Sequence, residues 1–114
     1  MKKLFISQPM RDKTDEEILA ERAKAIETVE KYIGEKVEVI DSFIQGAPHD
    51  ASPLWYLGES IKLLGTADIV YFCSGWALYR GCCIEHQCAR EYGKTIVEIG
   101  YNYGSVYRKV ENND

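Results

Sequence analysis

The segment Ala67-Asp68-Ile69-Val70-Tyr71-Phe72-Cys73 constrains the fold of this chain more than any other. β-Branched and aromatic residues crowd between Gly65 and Gly75, in a run too short for an ordinary helix, so it reads as a strand. A strand this apolar needs cover on both faces, as parallel strands in α/β proteins have. Three further strands are legible: Lys3-Leu4-Phe5-Ile6, ending at Ser7-Gln8-Pro9; Val37-Glu38-Val39-Ile40; and Thr95-Ile96-Val97-Glu98-Ile99.

Helical patterns lie between them. Thr14 to Glu17 has the form of a capping box, after which Ile18, Leu19, Arg22, Ala23, Ile26, Val29 and Ile33 recur at three- and four-residue spacing, with Gly34 as the stop. A loop over 43–53 leads to Ser52 and Pro53, which open a second helix striped by Leu54, Leu57, Ile61 and Leu64. Gly81 to Tyr92 forms a third, closed by Gly93. Strand and helix alternate throughout. The pattern predicts an α/β fold, a Rossmann- or flavodoxin-like three-layer sandwich around a four- to five-stranded parallel sheet.

With 114 residues and no repeat or linker, residues 1–114 read as one domain. The apolar runs fall far short of the roughly 20 residues a spanning helix needs, and Met1-Lys2-Lys3 leads into a strand rather than a leader, so no membrane association is expected. A net charge of −4 supplies no field for a nucleic-acid backbone. Cys73, Cys82, Cys83 and Cys88 fall within sixteen residues. A secreted disulfide scaffold spreads its cysteines more widely, so the expected compartment is the reducing cytoplasm.

Ligands of parallel sheets bind at the carboxyl ends of the strands. Those ends are Ser7-Gln8-Pro9-Met10, Asp41-Ser42, Cys73 to Trp76, and the tail after Glu98. Beyond the third end, Gly81 lets a ligand approach the backbone and Glu85 stands near a helix start, whose dipole favours its ionised form. An ionised, positioned glutamate is what attack on an anomeric carbon requires. By spacing alone Glu85 fits a solvated first-turn carboxylate, placed there for the dipole, better than a nucleophile. Ser7 to Met10 offers a hydroxyl and turn amides to an anion, with Arg11, Lys13 and Arg80 as charge partners, or forms an ordinary turn. Asp41 and Ser42 suit ribose hydroxyls or a leaving base, or simply their own backbone. Trp76 suits base stacking or the core, as do Trp55 and Tyr56. Cys82, His86 and Cys88 share one short stretch, whereas zinc sites bring ligand pairs from separated segments, so no metal is expected. His86 points roughly 100° away from Glu85 around the helix.

Gly75-Trp76, Arg80-Gly81, Ile84-Glu85-His86, Ala89 and Tyr92-Gly93-Lys94, together with Phe5-Ile6-Ser7-Gln8-Pro9-Met10 and Lys13-Thr14-Asp15-Glu16-Glu17-Ile18, resemble a small bacterial and phage branch grouped with the nucleoside 2-deoxyribosyltransferases. The likeness covers nearly the whole chain. It implies that Gly81 matches the glycine of a Gly-Thr-x-x-Glu-like turn and that Glu85 matches the nucleophile. Tyr79 stands where many of those enzymes carry an aspartate, and Cys82 replaces the usual threonine, so Tyr79 cannot bind sugar hydroxyls or move a base proton as an aspartate would. Related hydrolases of deoxynucleoside monophosphates use a serine at the position of Ser7 for the phosphate.

The expectation is therefore an N-glycosidic bond hydrolase or deoxyribosyltransferase acting on a nucleoside or nucleotide, with Glu85 attacking C1′. Gly75, Trp76, Tyr79, Arg80 and Gly81 would line the site with Ser7 to Met10, Asp41 and Ser42. No cofactor is expected. The alternative is a nucleotide-binding protein without turnover. Trp55, Tyr56, Tyr101, Tyr103 and Tyr107 are aromatics suited to an interface, and the resemblance implies a homo-oligomer whose copies close one another's sites.

Overall fold

The structure is a computed structural model that describes residues 1–44, 46–99 and 107–110. Helix α1 (Asp15–Ile33) starts and stops where its sequence signals place it. Thr14 Oγ1 accepts from the Glu17 amide at 3.1 Å while the Thr14 amide donates to Glu17 Oε1 at 3.0 Å, and Gly34 turns the chain out at φ 78°. Ser52 caps α2 (Pro53–Leu64) by accepting from the Trp55 amide at 3.1 Å, with Pro53 in the first turn, where its missing N–H costs nothing. Helix α3 (Arg80–Glu91) follows a short 3-10 turn, Trp76–Leu78, that no sequence signal announced.

The strands β1 (Lys2–Ser7), β2 (Val37–Val39), β3 (Ile69–Phe72), β4 (Thr95–Ile99) and β5 (Tyr107–Val110) form one sheet in the order β2-β1-β3-β4-β5. The first four pair in parallel, as the alternation predicts. β5 runs antiparallel to β4, so the fifth strand is not a parallel one. This is the flavodoxin-like order, with the antiparallel strand at the edge.

Period-two alternation divides the core. Leu4, Ile6, Ile69, Tyr71 and Val97 pack with Ala25 and Val29 of α1 on one face. Phe5, Val70, Phe72 and Ile96 pack with Leu64 and Ala89, from α2 and α3, on the other. Three layers result. The buried side of α1 is Ile18, Arg22, Ala25 and Val29, whereas Leu19 is 53% exposed and Ala23 faces outward. The stripe thus runs through Ala25 rather than Leu19 and Ala23, while Arg22 lies buried where the spacing placed it and Ile26 and Ile33 still pack against the core. No helix among the described residues is long and apolar enough to cross a membrane.

The chain turns one way out of β1 to reach β2 and the other way out of β3 to reach β4. The switch point lies at the carboxyl ends of β1 and β3, where Ser7 pairs with Phe72.

Candidate functional site

Ser7 shares the parity of Phe5, so its side chain faces α3. Glu85 shares the helical phase of Cys82 and Ala89, the buried side of α3. The two meet at the switch point, where the Ser7 hydroxyl donates to Glu85 Oε1 at 2.6 Å, with Ser7 1% and Glu85 7% exposed. Ser7 is the one hydrogen-bond partner of this carboxylate among the described residues, and no buried side-chain oxygen is left unpaired. Oε2 has no hydrogen-bond partner among the described residues and is not fully buried, and the residue that carries it lines the cleft.

That cleft has a volume of about 520 Å³, within the range of small-molecule sites. Phe5, Ile6, Gln8, Pro9, Met10 and Arg11 form its β1 side, and Ser42 and Ile44 its β2 side. Pro53, Tyr56, Leu57 and Ser60 come from α2, and Tyr79, Gly81, Cys82 and Glu85 from the start of α3. Most of the wall is apolar. Burial pushes the Glu85 carboxyl up to about 7, with the Ser7 hydrogen bond pulling the other way. The helix-start dipole that the sequence suggested as favouring ionisation is not what governs Glu85: it is the sixth residue of α3, beyond the free amides of the first turn, and desolvation dominates. Burial also pushes the Cys82 thiol up to about 11, so it lines the cleft as a neutral, apolar group.

Of the residues singled out by sequence, Gln8, Pro9, Met10, Ser42, Tyr79, Gly81 and Glu85 are brought together. Ser7 lies beneath them, its hydroxyl engaged by Glu85 and too deep to hold a phosphate directly. Four others lie outside the lining. Asp41 and Arg80 are exposed. Gly75 serves the backbone, opening the 3-10 turn at φ 83°. Trp76 stacks on His86 with ring centroids 4.2 Å apart and planes 7° from parallel, and packs on Phe72, so it anchors the far side of α3. His86 in turn bonds Glu98 Oε2 at 2.7 Å, away from Glu85. Tyr101 and Tyr103 fall outside the described residues.

Sequence reasoning missed Arg22. Its guanidinium, 7% exposed, donates to Ser42 Oγ at 3.1 Å, to the Ile40 carbonyl at 3.1 Å and to Gln8 Oε1 at 3.4 Å. Gln8 Nε2 donates onward to the Ile18 carbonyl at 3.2 Å and to Glu21 at 2.9 Å. An arginine on an apolar helical stripe was the available signal.

Fold and site together define a flavodoxin-like α/β protein with a buried serine–glutamate pair at its switch point. No protein-family model matches the chain, and no curated protein sequence matches it. The chain is similar in fold to the crystal structure of a conserved protein from Enterococcus faecalis V583, with a TM-score of 0.62 and 12% identity. The match covers 90% of this chain and 65% of that one, so the chain spans under two-thirds of its neighbour's length. At that identity the likeness concerns the fold alone.

Proposed function

We propose that the protein cleaves or transfers the N-glycosidic bond of a nucleoside or nucleotide, with Glu85 as the nucleophile. The observation that carries this reading is the Ser7–Glu85 pair, which leaves Oε2 without a partner among the described residues on a side chain lining an apolar cleft at the switch point. The resemblance of the Gly81 to Glu85 turn to that of the deoxyribosyltransferases points the same way. Oε2 attacks C1′ as the C1′–N bond breaks, and the base leaves with the bonding pair and takes up a proton from water. The resulting ester on Glu85 is resolved when water, or a second base, attacks C1′ and the carboxylate departs. Both steps balance without a cofactor.

The aromatic wall falls to Tyr56 and Tyr79 rather than Trp76, since these two line the cleft. The four free cysteines, Cys83 among them exposed, fit a cytoplasmic setting. A homo-oligomer remains part of the proposal, supported by apolar side chains left exposed at Leu54, Leu78 and Tyr92.

One observation favours a second reading, binding without turnover: Glu85 is the one carboxylate in the cleft lining among the described residues, with Tyr79 where an aspartate would serve as a second. Incubation with nucleosides, nucleoside monophosphates and NAD, followed by chromatography for free base, separates the two. Base release that Glu85→Gln abolishes supports catalysis. Ligand-induced thermal stabilisation without release supports binding alone, and neither response overturns both.

A further inference from the structure

The cleft has a second polar end that this reaction does not use. Ser42, 4% exposed, lies beyond β2 and lines the cleft. Its Oγ accepts from Arg22, so its own proton is free to be donated, and nothing among the described residues takes it. Arg22 gives all its hydrogen bonds to neutral acceptors, and no carboxylate forms an ion pair with it among the described residues. The nearby acids do not neutralise it by contact. Glu21 is held by Lys13 at 3.3 Å and by Gln8, and Asp41 is exposed and acts from a distance. A fixed positive charge thus stands behind a hydroxyl whose proton is available to the cleft. Burying a cation without a carboxylate is costly, and tying a helix to two loops does not require it. Arg11, exposed on the same cleft, also lacks a partner among the described residues.

We propose that the Ser42 end of the cleft is an oxyanion seat, taking a phosphate- or carboxylate-type group of the ligand on the Ser42 hydroxyl and Arg11, with buried Arg22 as the positioning residue that holds and polarises Ser42 from behind. A ligand seated this way spans from β2 to α3, its anionic end at Ser42 and its reacting carbon at Glu85. The anionic end therefore lies away from Ser7, whose proton is engaged by Glu85. The inference rests on the cleft being the ligand site and deepens the proposed function by selecting anionic ligands, but it does not depend on turnover.

Titration with inorganic phosphate, followed by thermal shift and amide NMR with sodium chloride at matched ionic strength as the blank, tests it. Saturable stabilisation of the wild type is expected. Ser42→Ala and Arg11→Ala should each weaken it about tenfold, the usual scale of one hydrogen bond to a charged group. Glu85→Gln should leave it in place, so loss of base release and loss of the seat read out separately. Arg22→Lys, which keeps the charge but not the fork, should weaken phosphate binding even at temperatures where the variant is fully folded. A nucleoside monophosphate that binds more tightly than both phosphate and its nucleoside identifies the source as a nucleotide; equal binding of phosphate alone identifies a free oxyanion. No saturable response in the wild type overturns the seat. So does a response that survives Ser42→Ala, with Arg22→Lys affecting only stability, since Arg22 is then a structural tie.

Discussion

A methyl group added at Gly81 would meet nothing within 4 Å, and the backbone there is not left-handed. Neither crowding nor conformation calls for glycine, which costs a helix up to about 1 kcal/mol relative to alanine. The remaining reason is the cleft that Gly81 lines. Gly81→Ala is expected to raise the melting temperature while weakening nucleoside binding; a rise in melting temperature with unchanged binding would show that no ligand approaches there. Glu85 carries a second consequence of its burial. Its folded pKa of about 7 lies above the ordinary carboxylate's 4.5, so between those values the folded chain keeps a proton that the unfolded chain has released. That contribution to stability is fully present below pH 4.5 and is lost as pH rises through 7. Glu85→Gln, which cannot ionise, should therefore stabilise the protein at pH 8 by on the order of 3 kcal/mol and change little at pH 4. Urea unfolding at the two pH values checks this, and equal effects at both would contradict it. The proposed attack requires the ionised form, so activity should climb as pH passes through 7. Ser7→Ala removes the bond that favours ionisation and should move that limb upward by about one pH unit.

At the scale of elements, α1 does more than cover a face, because Arg22 ties it to the loops after both β1 and β2. Its start rests on the reciprocal bonds of Thr14 and Glu17, so Thr14→Ala should cost about 1 kcal/mol in denaturant unfolding. An unchanged midpoint would mean that packing alone sets the start of α1. The three helices and four parallel strands were legible because caps, stops and periodicity are local signals. The fifth strand's direction was not, since nothing in Tyr107 to Val110 distinguishes an antiparallel edge from a parallel one. In the site, Glu85 and Gly81 stood out by residue type and position. The Ser7–Glu85 bond joins residues 78 apart in sequence and needs the strand's parity and the helix's phase to coincide. Trp76 was ambiguous because an aromatic after a strand serves a loop anchor and a base equally well, and only its stacking on His86 decides for the anchor.

Over the whole molecule, the sheet order places the ends of β1 and β3 side by side, and α2 and α3 wall in the space above them. Leu54 at 77% and Leu78 at 84% exposure are apolar surfaces left uncovered among the described residues. Light scattering at micromolar concentration should give a mass above the 13.0 kDa of one chain, and a monomer with full ligand binding would contradict a shared site. The proposed function turns on one bond, that between C1′ of the ligand and a Glu85 oxygen. Peptide mass mapping of acid-quenched reactions detects that bond directly. A pentosyl adduct on the peptide containing Glu85, absent from the Glu85→Gln protein, is the predicted result. Base release with that peptide unmodified, or release undiminished in Glu85→Gln, would contradict it.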